Sequence, residues 1–163
     1  MRKPELTDAP PNPVPFRPPV PQATQIPGPA GMLEARIEDP LPAGAIRRVI
    51  GVVCHPHPLH GGTMQNKVVH TAARALQEAG AATVRFNFRG VGASAGRYDN
   101  GVGELDDALA VVAWARQHFG CDAVWLAGFS FGAATALQAA AQGARPARLV
   151  TIAPPVGRII TQP

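Results

Sequence analysis

The feature that most constrains the fold is an alternation, from Gly31 onward, of short apolar runs with segments of helical periodicity. Val49 to Cys54 is a continuous run rich in branched residues, as is typical of a strand buried on both faces. Ala82 to Phe88, Ala123 to Ala127 and Arg148 to Ala153 repeat this pattern along the chain. The alternation predicts an α/β fold, with a mainly parallel sheet and helices on both faces.

Three segments between these runs have helical character. Met64 to Ala79 precedes Gly80, a predicted C-cap, and its apolar stripe is formed by Val68, Ala72, Ala75, Leu76 and Ala79. Glu104 to His118 begins with acidic residues, which complement the positive end of a helix. Phe131 to Gln142 is rich in alanine and is followed by Gly143, so it is predicted to be a third helix.

The amino-terminal segment has a different composition. Prolines recur every few residues from Pro4 to Pro29 with almost no apolar periodicity, which predicts a flexible tail over residues 1–30. Leu33 to Ile37 alternates and predicts an early edge strand. Hydrophobic residues make up 46% of the chain, enough for one globular domain over residues 31–163.

Charge and cysteine content exclude several classes of protein. The net charge is +4, but the basic residues are scattered and form no run, so the sequence does not predict nucleic-acid binding. Cys54 and Cys121 lack metal or redox spacing. No run reaches the length of a membrane helix, and Met1 is not followed by the apolar stretch of a signal peptide. We therefore expect a cytoplasmic protein that needs no cofactor and contacts no membrane.

The strongest chemical signal is a G-x-S-x-G string, Gly128 to Gly132, between a predicted buried strand and a predicted helix. Small residues two positions before and after Ser130 allow the strand and the helix to approach closely through a tight turn. The helix starting at Phe131 would direct a backbone N–H and its positive end toward an oxyanion that forms beside Ser130. This context predicts Ser130 as a nucleophile.

A second motif, Cys54 to Gly62, follows the first buried strand and contains three histidines, and it allows two interpretations. In one, the loop supplies a second oxyanion N–H. Leu59 is then the favoured donor, with His60 and Gly61 behind it, since the loop's prolines have no N–H. In the other, three side chains bind zinc, as in metallo-β-lactamase-type enzymes: His55, His57 and His60. Leu59 stands where that family has an aspartate, which disfavours the zinc site.

A third motif is the glycine-rich stretch from Arg89 to Gly96, which contains the string G-x-G-x-x-A after a strand. Such a string can bind a dinucleotide when a helix follows it directly. Here it is followed by turn-forming residues, Arg97 to Gly101, so no helix N-terminus is available for a pyrophosphate. A shaped loop beside the carboxyl end of the sheet is the favoured interpretation.

Together these motifs resemble a group of small α/β-hydrolases akin to dienelactone-hydrolase and serine-peptidase-like members of that superfamily. The resemblance spans Met32 to Val156 and includes Phe86 to Ser94 and Ala153 to Val156. It implies that residues 31–163 form a partial α/β-hydrolase domain. It also implies attack by Ser130 on an ester or similar acyl bond of a small molecule through an acyl-enzyme, with Phe131 and Leu59 donating to the oxyanion.

The sequence departs from that family pattern after Ser130. The triad of the family runs serine, acid, histidine, yet residues 131–163 contain no Asp, Glu or His. We therefore expect a carboxy-terminally truncated serine hydrolase that is inactive or weak. The strand from Arg148 to Ala153 would become an exposed apolar edge, which predicts self-association. A zinc metallohydrolase and a non-catalytic binding module are the alternatives.

Overall fold

The computed structural model describes residues 22–41 and 48–155. In these ranges the chain forms six strands: β1 (Gln22–Gly28), β2 (Gly31–Glu38), β3 (Val49–Cys54), β4 (Ala82–Phe86), β5 (Ala123–Phe129) and β6 (Arg148–Ile152). They make one sheet in the order β1-β2-β4-β3-β5-β6. Strands β3 to β6 run parallel, whereas β2 pairs antiparallel with both β1 and β4. The predicted α/β fold with a mainly parallel sheet is confirmed.

Helices cover both faces of the sheet: α1 (Lys67–Glu78), α2 (Val102–Phe119) and α3 (Phe131–Ala139). Helix α1 packs on one face against Val53 and Ala127, and α2 and α3 join the larger apolar core on the other face. A single π turn follows α3, where Gly143 has φ 108°, so the regular helix ends three residues earlier than predicted. No helix in the described ranges has both the length and the apolar content needed to cross a membrane.

The apolar stripe predicted for α1 is displaced. The fully buried positions are Val69, Ala73 and Gln77, while Ala75 and Ala79 are exposed. Gln77 can be buried because its amide Nε2 donates to Thr83 Oγ1 on β4 at 2.8 Å, while Ala72 and Leu76 of the predicted stripe still pack against the core. Polar side chains with internal partners are invisible to an analysis based on apolar periodicity.

The tail prediction is wrong for residues 22–28. These residues form β1, which pairs with β2 along its whole length and buries Ile26 completely. Strand β2 is accordingly the second strand of the sheet and not its edge. Pro27 is accommodated because a proline on an outer strand can direct its missing donor position away from the ladder. The predicted tail residues 1–21 lie outside the described part of the chain.

Candidate active site

Ser130 occupies a turn of unusual backbone geometry between β5 and α3. Its φ of 53° and ψ of −115° lie in a region that non-glycine residues rarely adopt. Its N–H donates to the Ile152 carbonyl on β6 at 2.8 Å, and its own carbonyl accepts from Ala133 N–H at 2.9 Å. The strand, the turn and the helix are arranged as the sequence predicted, and the turn is held by β6 on one side and by α3 on the other.

Two glycines allow this turn to form. A Cβ at Gly128 would overlap the Gly132 carbonyl oxygen, so strand and helix approach more closely than any side chain permits. A Cβ at Gly132 would overlap the carbonyl oxygens of Cys54 and His55, at the end of β3. The second glycine therefore lets α3 begin directly against the neighbouring strand. Both glycines are required by backbone packing and not by their own dihedral angles.

Ser130 opens into a cleft of about 350 Å³. Its walls include four residues with rings and two with side-chain amides: His57, His60, Tyr98, Phe131, Asn100 and Gln138. Among the described residues that line it, none is Asp, Glu, Lys or Arg. As the first residue of α3, Phe131 has an N–H without an acceptor inside the helix, at the positive end of the helix dipole. The cleft thus combines a half-buried hydroxyl with a donor-rich helix terminus.

His55 has no access to this cleft. Its side chain is completely buried, Nδ1 lies 2.6 Å from the Pro56 carbonyl, and Nε2 accepts from Phe88 N–H at 3.0 Å. These partners require a proton on Nδ1 and none on Nε2. Burial lowers the pKa of His55 to about 4, although the bond to Pro56 acts in the opposite direction. His55 is a neutral residue that ties the loop after β3 to the chain after β4.

His57 lies in the wall of the Ser130 cleft. Its Nδ1 accepts from Leu59 N–H at 3.2 Å, and its Nε2 lies 3.2 Å from the Tyr98 hydroxyl. The ring stacks on His60 with centroids 4.3 Å apart. It also contacts the ring of Phe131, with centroids 5.1 Å apart. The histidine loop therefore reaches the cleft through His57 and His60.

Leu59, the predicted second oxyanion donor, is not brought into this cleft. Its side chain is 66% exposed and lines a neighbouring cleft on the other side of Tyr98. Its N–H is already bonded to His57. Leu59 as the second oxyanion donor therefore stays a prediction, with its residue in a 3₁₀ turn over Pro58–His60.

The geometry does not support a zinc site. Both ring nitrogens of His55 are engaged with backbone groups inside the core, and those of His57 contact Leu59 and Tyr98. Over residues 22–41 and 48–155 no three His, Cys, Asp or Glu side chains are grouped so that they could hold a metal ion. The zinc interpretation is therefore wrong, because each ligand of a metal ion needs a free lone pair directed at the position of that ion.

The glycine-rich loop after β4 is fixed by acidic residues. Glu34 Oε2 accepts from Ala93 N–H and from Asn87 Nδ2, both at 2.8 Å. Asp107 pairs with Arg89 at 2.8 Å. The buried Glu104 accepts from the N–H groups of residues 99 and 101, where α2 begins. No helix starts directly at the glycine string, which agrees with the rejection of a dinucleotide site.

The cleft residues that were not identified from the sequence include Tyr98, Asn100 and Gln138. Tyr98 and Asn100 lie in the turn before α2, and Gln138 lies on α3 two turns after Ser130. A tyrosine and an asparagine in a polar turn carry no distinctive pattern. The helical spacing of eight residues from Ser130 to Gln138 was the one usable signal, since it places both on one side of α3.

Comparison with known families supports the fold independently. The pattern of a family described as alpha/beta hydrolase fold matches residues 59–160. A solved α/β serine hydrolase without a lid, from Xanthomonas campestris, is 50% identical with a TM-score of 0.82, over 89% of this chain and 66% of that one. An α/β serine hydrolase homologue from Coxiella burnetii is 54% identical with a TM-score of 0.80, over 84% of this chain and 64% of that one.

A sequence relative gives the same result. An uncharacterized protein of Rickettsia prowazekii is 41% identical over 133 residues, which are 81% of this chain and 55% of the relative. The chain thus spans between 55% and 66% of the length of these three proteins. The family match over residues 59–160 includes the Ser130 turn and strands β4, β5 and β6. From its sequence pattern and its sheet, the chain belongs to the α/β hydrolase fold family.

Proposed function

We propose that this chain carries the nucleophile of a serine hydrolase that acts on small acyl esters, with Ser130 attacking the acyl carbon. The observation that carries the proposal is the strained turn at Ser130, which opens into a cleft of about 350 Å³ at the start of α3. Backbone strain in a cleft that could hold a substrate is characteristic of functional positions. The likeness to α/β serine hydrolases at 50% and 54% identity supports the same reaction class.

In the proposed reaction, the Ser130 oxygen forms a bond to the acyl carbon and the carbonyl oxygen becomes negative. The Phe131 N–H and the start of α3 would stabilise this oxyanion. The Ser130 proton passes to solvent water, the ester C–O bond breaks as the oxyanion collapses, and the alcohol leaves with a proton from water. A second water molecule then hydrolyses the acyl-enzyme, which frees the acid and restores the Ser130 hydroxyl. The Leu59 N–H remains our proposed second donor, and it acts only once the His57 ring releases it.

The proton acceptor is the weak element of this site. Residues 131–163 contain no Asp, Glu or His that could complete a triad in the family order. His57 and His60 line the cleft, but the Nδ1 of His57 is occupied by the Leu59 N–H. A serine hydroxyl reacts slowly without a neighbouring base. We therefore propose that this chain acylates slowly and turns over weakly.

A fluorophosphonate probe tests the proposal, because it reacts with activated serine hydroxyls. The chain offers an internal control, since it has only two serines and Ser94 is buried, with its hydroxyl donating to the Asn87 carbonyl at 2.7 Å. Peptide mass mapping should find slow labelling at Ser130 and none at Ser94. The Ser130→Ala variant should lose the label.

Esterase activity gives a second readout. With p-nitrophenyl acetate we expect a slow release of p-nitrophenol that approaches one equivalent per chain and is absent in Ser130→Ala. Hydrolysis that persists in Ser130→Ala, or a wild-type chain in which the probe never labels Ser130, would overturn the proposal. If the wild-type chain turns over fast and repeatedly and Ser130→Ala does not, Ser130 is the nucleophile, and the proposal of weak turnover is refuted.

A further inference from the structure

A second cleft lies beside the Ser130 cleft and shares Tyr98 with it. Its volume is about 400 Å³. Its walls include three apolar residues and two arginines: Pro58, Leu59, Val91, Arg89 and Arg97. Tyr98 lines both clefts, so the two clefts are adjacent at this ring. The proposed acyl reaction uses only the first cleft.

The two clefts differ in charge. The described lining of the Ser130 cleft contains no acidic or basic side chain other than histidine. In the second cleft, Arg89 is neutralised by the buried carboxylate of Asp107 at 2.8 Å. Arg97 is exposed and forms no ion pair with any described residue. The second cleft therefore has one positive charge without a partner in the described part of the chain.

The loop that carries Arg97 is held in a fixed shape. Gly90 N–H donates to the Ala95 carbonyl at 3.0 Å and closes the loop on itself. Ala95 N–H donates to the Met32 carbonyl on β2 at 2.8 Å, and Ala93 N–H donates to Glu34 on the same strand. A loop bonded to a strand at two points presents its next residue from a stable backbone. Arg97 follows Ala95 by two residues and lines the second cleft with an exposed side chain, so the loop fixes where this side chain starts.

We propose that this second cleft is an anion subsite, in which Arg97 binds a carboxylate carried by the ester that reacts at Ser130. The inference rests on the proposed function and narrows its substrate class to esters with a free carboxylate, such as monoesters of dicarboxylic acids. A guanidinium donates two parallel hydrogen bonds to a carboxylate. Leu59 and Val91 contact the methylene groups between the ester and the acid, which have to pass Tyr98.

Equilibrium binding tests the subsite without turnover. In a Ser130→Ala background, NMR titration with monomethyl adipate, an anion, is compared with titration by the neutral dimethyl adipate. Arg97→Gln should weaken binding of the anion by roughly three- to tenfold, as expected for a partly exposed charge pair, and leave the neutral ester unchanged. Arg97→Lys should recover part of the loss, and added salt should weaken only the anion.

The matched control is Arg74→Gln on α1, which removes the same charge from an exposed residue that lines neither cleft. Arg74→Gln should leave the affinities for both esters unchanged. A weaker affinity for the anion in this variant would mean that net charge drives binding, and it would overturn the subsite. Equal binding of the two esters, or an unaffected Arg97→Gln, would also overturn it. Labelling of Ser130 in the wild-type chain separates the two proposals: Arg97-dependent binding without labelling refutes the nucleophile alone, and labelling without Arg97-dependent binding refutes the subsite alone.

Discussion

The turn after β5 and the loop after β3 meet at the same end of the sheet, and both contain crowded glycines, but only the loop is also held by ring hydrogen bonds. A Cβ on Gly132 would overlap the carbonyl oxygens of Cys54 and His55, so the turn has room only for glycine. The loop from His55 to Gly62 is also crowded, since a Cβ on Gly62 would overlap the Pro56 carbonyl, but it is held in addition by imidazole rings that accept backbone N–H groups. Crowding allows only glycine at a position, so it can be recognised in the sequence. The sequence does not show which of several histidines forms the ring hydrogen bonds.

The largest effect should come from the turn. In Gly132→Ala the new Cβ collides with two backbone carbonyls that cannot move without displacing β3. We expect the free energy of unfolding to fall by about 4 kcal/mol or more, or no folded protein at all. Urea unfolding followed by circular dichroism measures this loss.

The control for this substitution comes from the loop after β3. Gly61 has φ 75°, but a Cβ there meets no heavy atom within 4 Å, so Gly61→Ala tests backbone conformation without crowding. It should cost only about 1–2 kcal/mol. Similar losses for Gly132→Ala and Gly61→Ala would mean that crowding at Gly132 does not determine the stability of the turn.

The second effect concerns the rings of the loop. His55→Ala removes the acceptor of the buried Phe88 N–H and leaves a cavity beside the Phe88 ring. We expect a loss of about 2–4 kcal/mol in unfolding free energy. His60→Ala is the control, because His60 is exposed, and it should change stability by less than about 0.5 kcal/mol. Equal values for the two variants would contradict the structural role of His55.

The same histidine predicts a pH dependence. Burial lowers the pKa of His55 from 6.5 to about 4. Between these values the unfolded chain binds a proton that the folded chain does not, so stability falls as the pH drops from 6.5 toward 4. His55 should account for a loss of about 2 kcal/mol between pH 7 and pH 4.5. Urea midpoints at both pH values should show a smaller decrease in His55→Gln, and identical decreases would argue against a buried neutral ring.

The next prediction concerns β6, whose Ile152 carbonyl holds the Ser130 turn. In the described part of the chain β6 is an outer strand, and Leu149 and Val150 on it are 37% and 41% exposed. We propose that this edge mediates self-association, which Val150→Lys should weaken by roughly tenfold, as charges on an edge strand do. Sedimentation over a range of concentrations measures it. Met32→Lys, at an equally exposed position on β2, should leave association unchanged.

The smallest effect tests the strain at Ser130. Its φ of 53° suits glycine, so Ser130→Gly should raise the free energy of unfolding by about 0.5–1 kcal/mol. Ser130→Ala keeps the strained backbone and should remain within about 0.5 kcal/mol of the wild-type value. Thermal unfolding distinguishes the two variants. Equal stabilities would mean that the turn stores no strain.

The sequence predicted well wherever residue type and backbone geometry are tightly coupled. The branched run Val49–Cys54 matched β3 at both ends, and the glycines around Ser130 identified the turn. It predicted poorly wherever one polar bond decides the orientation. Gln77 lies outside the predicted apolar stripe of α1, yet it is buried with its amide bonded to Thr83.

The amino-terminal strand shows another limit. Proline content suggested a flexible segment through residue 30, yet Ile26 is fully buried in β1. The pairing of β1 with β2 involves residues close in sequence, but the helix that covers it, α2, begins more than seventy residues later. Burial that depends on such a distant partner leaves little trace in local composition.

The bonds between Glu34 and the loop after β4 have a practical consequence. Besides its side-chain bonds to Asn87 and Ala93, Glu34 donates its N–H to Ser94 Oγ and accepts Asn87 N–H, each at 2.8 Å. The amino-terminal hairpin of β1 and β2 thus supports the loop after β4, which leads to Arg97 and Tyr98. A deletion of all residues before Gly31 would remove β1 and leave β2 without its outer partner. A shortened protein should therefore begin no later than Gln22 if the loop is to keep its support.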